Sequence, residues 1–135
     1  MIKIDIKKTD FLAMTNKNNN KFYIGSNGKL IPIGEVQNLN KQLPFVFSKS
    51  NYANFVELKK IIDKSKFQFE KIKSFYYFPG NRWDIKTNNE LLIRLPEKNI
   101  LESLELAHLI IEKEEFIDNK IIDLRISNTI IASNE

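Results

Sequence analysis

Asn81-Arg82-Trp83-Asp84-Ile85-Lys86-Thr87-Asn88-Asn89-Glu90-Leu91-Leu92-Ile93-Arg94-Leu95-Pro96 is the stretch whose reading decides the fold. Two runs of apolar and polar residues flank a polar tripeptide. Leu95-Pro96 closes the second run, because proline has no N–H to give to a strand ladder. Two registers compete. A two-residue loop at Asn88-Asn89 pairs Ile85 with Leu92 and sets Trp83 opposite Arg94. A three-residue loop from Asn88 to Glu90 pairs Thr87 with Leu91, Ile85 with Ile93 and Trp83 with Leu95. Strand side chains alternate with period two, so only the second puts Trp83, Ile85, Ile93 and Leu95 on one face. The sequence therefore predicts that register, with those four residues structural. Asp84, Lys86, Leu92 and Arg94 share the opposite face, where Leu92 needs cover.

Downstream, Asn99 followed by Glu102 has the spacing of a capping box, with asparagine for the usual serine or threonine. It predicts a helix to about Lys113 that buries Ile100, Leu104, Ala107 and Ile111. Ile122, Leu124 and Ile126 then point one way and Ile121, Asp123 and Arg125 the other, as in a strand. Leu124 joins the structural residues. Ser127-Asn128 turns the chain, and Thr129-Ile130-Ile131-Ala132 reads as a last strand.

Upstream, Ile2, Ile4 and Ile6 alternate with Lys3, Asp5 and Lys7 as a half-buried strand. Phe11 to Met14 and Lys21 to Ile24 read as strands joined through the polar tip Asn16 to Asn20, where asparagine tolerates left-handed backbone. Gly25-Ser26-Asn27-Gly28 is a turn before Lys29 to Ile33. Residues 34–43 are irregular. Phe45-Val46-Phe47 is a short buried strand. Ser50 suits the cap of a helix over residues 51–64 with Phe55, Leu58 and Ile62 on one face. Residues 66–73 fit a helix end or a strand equally. Phe75 to Phe78 is extended, and Pro79-Gly80 ends it.

The 135 residues suffice for one domain with a real core, and the formal charge of +4 is mild. No cysteine is present, which excludes disulfides, thiol nucleophiles and zinc–cysteine sites. The single histidine, His108, sits at the flank of a helix face with no nucleophile marked for it. No metal-ligand spacing or phosphate loop appears, so no catalytic, metal or cofactor residue is assigned and the chain reads as a non-enzyme. No apolar run approaches the ~20 residues of a membrane span, and the N-terminus lacks the apolar core of a signal peptide.

Two surfaces suit binding. Lys59, Lys60, Lys64, Lys66, Lys71 and Lys73, with the aromatics Phe75 to Phe78, suggest a nucleic-acid platform, though the same residues build a solvated helix face and an ordinary core. The final strand is the better candidate. Ile130 and Ile131 point to opposite faces, and no lysine or proline protects residues 129–133. It reads either as a strand buried between neighbours or as an open edge that accepts a partner's strand. Arg125 is positioned to meet an acidic partner residue or to pair internally with Asp123.

Five motifs in order resemble the FtsQ/DivIB family of bacterial divisome proteins. Residues Ile4 to Ala13 look like the end of its POTRA domain, and Phe22-Tyr23-Ile24-Gly25-Ser26-Asn27-Gly28 is similar to a family hairpin. Leu43-Pro44-Phe45-Val46 resembles the lead into its β domain, Asn81 to Pro96 its tryptophan hairpin, and Ile122-Asp123-Leu124-Arg125 its penultimate strand. The resemblance implies a mixed α+β fold, a curved and largely antiparallel sheet carrying two principal helices. It divides the chain into a POTRA end and lead-in strand (1–14) and a β domain (15–135). It implies a non-catalytic scaffold of septum formation on the periplasmic side of the inner membrane, anchored by a helix this chain lacks. It further implies FtsB and FtsL as partners, FtsB adding a strand along Arg125, Ile126, Asn128, Thr129, Ile130, Ile131 and Ala132. Members often carry tyrosine and a small residue after Asp-Leu-Arg, where Ile126 and Asn128 stand here.

Overall fold

The computed structural model describes residues 10–36, 42–49, 52–113, 120–125 and, as backbone, 131–133. The strand expected at Ile2–Ile6, the cap at Ser50 and the segment Ile126–Ile130 lie outside the described residues. Among the described residues nine strands form one sheet: β1 (Phe11–Lys17), β2 (Asn20–Gly25), β3 (Leu30–Pro32), β4 (Phe45–Phe47), β5 (Ile72–Phe78), β6 (Arg82–Thr87), β7 (Leu92–Arg94), β8 (Ile121–Asp123) and β9 (Ile131–Ser133). Their spatial order is β3-β2-β1-β4-β5-β6-β7-β8-β9. Two helices, α1 (Ala53–Lys64) and α2 (Ile100–Lys113), complete an α+β fold.

The sheet is mixed. Hairpins make β1–β2, β2–β3, β5–β6, β6–β7 and β8–β9 antiparallel. The pairs β1–β4, β4–β5 and β7–β8 are parallel. Parallel neighbours need a crossover, and α1 and α2 supply it for β4–β5 and β7–β8. Both crossovers step the same way between strands of the same direction, so the right-handed rule sends both helices to one face of the sheet. Among the described residues no helix packs on the opposite face.

The decisive hairpin has the three-residue loop. Ile85 pairs with Ile93 and Asp84 with Arg94. The Thr87 N–H donates to the Leu91 carbonyl at 2.9 Å, and the Leu95 N–H to the Trp83 carbonyl at 3.0 Å. Glu90 takes φ +69°, the left-handed position that ends such a loop. Trp83, Ile85, Ile93 and Leu95 are all buried beneath the helices, together with Leu124. Phe55 of α1 meets Phe75 edge-on with ring centroids 5.0 Å apart, and Phe75 meets Trp83 at 6.2 Å and 90°. Edge-to-face pairs of this kind add about 0.5–1.5 kcal/mol each beyond area burial.

The upstream hairpin turns at Asn18 and Asn19, φ 54° and 66°, with Lys17 opposite Asn20. Two consecutive positive φ angles make the two-residue turn that matches strand twist. Both helices bury the expected stripe with small shifts. Phe55, Leu58 and Ile62 are buried in α1. In α2 the buried set is Leu104, Ala107 and Ile110, whereas Ile100 and Ile111 are only partly covered. The spacings i+3 and i+4 both return to one helix face, and here the face leans toward i+3. Asn99 has φ +60°, unlike the extended backbone usual at an N-cap, and its carbonyl accepts the Ser103 N–H at 3.1 Å. Residues 69–71 form a 3₁₀ turn, and β5 starts immediately after it. Strand β1 runs unbroken through residue 14, so the sheet takes in residues on either side of that position.

Candidate partner-binding edge

Strand β8 is held on its inner side by the third parallel pairing. The Leu92 N–H donates to the Lys120 carbonyl at 2.8 Å and the Leu124 N–H to the Arg94 carbonyl at 2.9 Å. Successive peptide groups in a strand point to opposite sides, so the even-numbered residues of β8 face β7 and Ile121 and Asp123 face β9. They pair antiparallel with Ser133 and Ile131, and Ile122 pairs with Ala132. Ser133 and Ile131 therefore direct their backbone groups inward to β8. The N–H and C=O of Ala132 point out, away from the sheet. Since β9 ends the strand order, no neighbour among the described residues meets that outer side.

The opposite edge differs. Strand β3 is as short as β9, but it carries Pro32, with Lys29 just before it. Proline and lysine are usual means of blocking strand addition. Strand β9 carries Ile131, Ala132 and Ser133 instead. The two ends of one sheet are thus chemically unequal.

Arg125 lies against its own strand. Its Nε donates to Asp123 Oδ1 at 2.8 Å and its Nη2 to Oδ2 at 2.5 Å, while its backbone N–H also reaches Oδ1 at 3.0 Å. This fork holds the Asp123 carboxyl below its ordinary pKa and raises that of the guanidinium. The internal pair is the arrangement present, so Arg125 meets a partner only by sharing or exchanging Asp123. On the same face Asp84, 4% exposed, accepts from Arg82 Nη1 at 2.6 Å and lies 3.9 Å from Arg94 Nε. A row of alternating charge thereby crosses β6, β7 and β8. Sequence reading placed these side chains on one face but missed their linkage, since cross-strand neighbours are decided by register and strand order.

The expected partner-contact residues separate accordingly. Arg125 is exposed, Ile131 and Ala132 form the outer strand, and Ile126, Asn128, Thr129 and Ile130 lie outside the described residues. The aromatic platform does not assemble. Phe75 is buried under α1, Tyr77 packs against Trp83 at 4.9 Å on the same side, and Tyr76 and Phe78 point to the open face. The lysines of the middle are dispersed as well: Lys59 pairs with Asp63 and covers the Phe69 ring, Lys60 pairs with Glu57, and Lys73 pairs with Glu90. Among the described residues no group of His, Asp or Glu is arranged to hold a metal, and no helix is long and apolar enough to cross a membrane.

Comparison with known proteins agrees with this architecture. Over 60 residues the chain is 27% identical to the cell division protein FtsQ of Rhizobium meliloti (strain 1021), a stretch covering 43% of this chain and 19% of that protein. The match thus spans about a fifth of that curated relative. The fold is similar, at a TM-score of 0.52 and 12% identity, to the major extracytoplasmic domain of the trans isomer of the bacterial cell division protein DivIB from Geobacillus stearothermophilus. That superposition covers 79% of this chain and 96% of the other. The sequence model of the cell division protein FtsQ/DivIB C-terminal family matches residues 13–125, most of the chain. With the tryptophan hairpin, the two crossover helices and the penultimate Ile-Asp-Leu-Arg strand all inside that match, the chain belongs to the FtsQ/DivIB family of cell division proteins.

Proposed function

We propose that this domain is a non-catalytic scaffold of septum formation that receives a strand of FtsB, with FtsL alongside, at the outer edge of β9. The observation that carries the reading is the outward-pointing backbone of Ala132 on a terminal strand with no protecting lysine or proline. Main-chain bonds at such an edge supply affinity, and pockets for alternate side chains supply selectivity. In this reading residues 1–14 lead in from a POTRA domain and 15–135 form the β domain, with β1 as the seam. The domain works on the periplasmic side of the inner membrane, and Arg125, Ile126, Asn128, Thr129, Ile130, Ile131 and Ala132 carry the contact. No cofactor or metal takes part.

The backbone parity gives a test with an internal control. Ala132→Pro removes a donor that points away from β8, so the β8–β9 ladder persists while an added strand loses a bond. Affinity for the extracytoplasmic FtsB–FtsL segment of the same organism is expected to fall at least tenfold, with the thermal midpoint within a few degrees of the parent. Ser133→Ala keeps the backbone and is expected to bind as the parent does. Undiminished binding by a folded Ala132→Pro variant refutes strand addition at β9.

A further inference from the structure

A crevice unrelated to the β9 edge opens where β1, β4 and β5 end. These three strands are mutually parallel, and their carboxyl ends are Lys17, Phe47 and Phe78. The chain leaves β1 toward β2 on one side and leaves β4 toward α1 and β5 on the other. Between the β1–β2 turn and the chain leaving β4 lies a concave gap at the strand ends. Here the gap has a volume of about 560 Å³, with Phe45, Phe47, Tyr77 and Pro79 as apolar walls and Asn16 and Lys49 as polar ones. It lies four to six strands from β9, roughly 20–30 Å at ~4.8 Å per strand.

Two features define what would fit. First, the apolar lining continues onto the open face of the sheet. Phe47 is 48% exposed, meets Phe45 edge-on at 4.6 Å and stacks on Tyr76 at 4.9 Å with the rings 2° from parallel. A three-ring cluster with Phe47 exposed and Phe45 and Tyr76 partly covered departs from the scattered single apolar residues of ordinary surfaces. Second, charge is segregated. Residues 11–34, 42–49 and 71–83, which supply β1 to β5 and the turn into β6, contain no aspartate or glutamate. Exposed Lys17 and Lys21 stand at the β1–β2 tip and Lys49 at the crevice wall, and none makes an ion pair among the described residues. Arg82 lies over the Phe78 ring at 4.5 Å but is already bound to Asp84. Glu97 approaches the turn beside Gly80.

We infer that this crevice is a second protein-docking site, taking an acidic segment of a partner that anchors an aromatic or aliphatic side chain against Phe45 and Phe47 and sets carboxylates toward Lys49, Lys17 and Lys21. The rings supply the anchor pocket that dominates such contacts, and the excess of lysine over acid around it selects the sign of the flanks. The opening onto a solvent-facing ring cluster suits a chain that passes across the site. Its strand-to-edge distance makes it independent of β9, so one molecule can hold two partners or two segments of one.

The test uses the whole 135-residue chain and a fluorescein-labelled dodecapeptide of alternating glutamate and leucine, followed by fluorescence anisotropy. Saturable binding is expected, weakened at least tenfold by Phe47→Ser and severalfold by Lys49→Glu, and unaffected by Ala132→Pro. Phe47 is half exposed, so the serine variant is expected to keep its thermal midpoint, and Lys49→Glu tests the site without touching the rings. Lys64→Glu, at the far end of α1, is the charge control and should change nothing. Equal weakening by Lys64→Glu would reduce the effect to bulk charge and overturn the proposal. Absence of saturable peptide binding overturns it too. So does a clear preference for a single-stranded DNA oligonucleotide or for phosphatidylglycerol vesicles that the peptide does not displace.

Discussion

At the scale of residues, the molecule repeatedly satisfies a buried polar group with one specific neighbour. Thr15 Oγ1 donates to the Val46 carbonyl at 2.7 Å, and Thr87 Oγ1 accepts the Leu91 N–H at 3.1 Å at the mouth of the hairpin. Asp123 illustrates how pH enters. The Arg125 fork holds its carboxyl below the ordinary carboxylate value, so it binds its proton more weakly folded than unfolded. Its contribution to stability is therefore complete above the unfolded pKa and lost as pH falls through the depressed folded value. Because the pair faces solvent, that contribution is small. Arg125→Ala should return the Asp123 carboxyl midpoint to the ordinary range in a carbon-13 NMR titration. A midpoint that stays low would show that Arg94, not Arg125, holds it down. Individual residue types had already excluded thiol and metal–thiolate chemistry, because a missing residue type needs no fold to be informative. The partner of Arg125 was different: two candidates were open in the sequence, and the chain just past β8 folds the guanidinium back onto Asp123.

At the scale of elements, local patterns translated well wherever one period dominated. The 81–96 hairpin takes the only register that collects Trp83, Ile85, Ile93 and Leu95 on one face, since a slip of one residue would put Ile93 and Leu95 on the face opposite Trp83 and Ile85. The asparagine-rich tip becomes a two-residue turn with both central residues left-handed. Asn19→Val puts a β-branched side chain at φ 66° and should lower stability by about 1–2 kcal/mol in urea titration. Asn19→Gly should match or exceed the parent, asparagine–glycine being the favoured pair for this turn. A valine variant as stable as the parent would mean that the turn rearranges freely. Elements with mixed signals were less legible. Residues 66–73 became a 3₁₀ turn followed by a strand, a choice made by the packing of Phe67 and Ile72 into the core.

At the scale of the whole molecule, one core links strands far apart in sequence. Ala13 and Ile24 near the start belong to the same buried cluster as Phe55, Trp83, Leu104 and Leu124. The β1–β4 junction is the narrowest seam, with Met14 opposite Phe45 as its single register pair. Continuity of the core across that seam predicts one cooperative unfolding transition. Trp83 fluorescence and far-UV circular dichroism should give coincident urea curves. An earlier circular-dichroism phase would show that β1–β3 melts apart from the helices and the β5–β9 half.

By itself the sequence determined the α+β class, the two amphipathic helices, the tryptophan hairpin with its register, and a last strand without the usual edge protection. All of these follow from short-range periodicity, from turn chemistry or from which residues are present. Only the tertiary structure decided that β4 wedges between β1 and β5, that β9 lies at the outer end of the sheet, and that Phe75 and Tyr77 turn inward while Tyr76 and Phe78 face out. It also decided which backbone groups of β9 point away from the sheet. Those outcomes depend on pairings between segments tens of residues apart. Such pairings are chosen by how the whole apolar surface is covered at once, and no window of sequence contains that information.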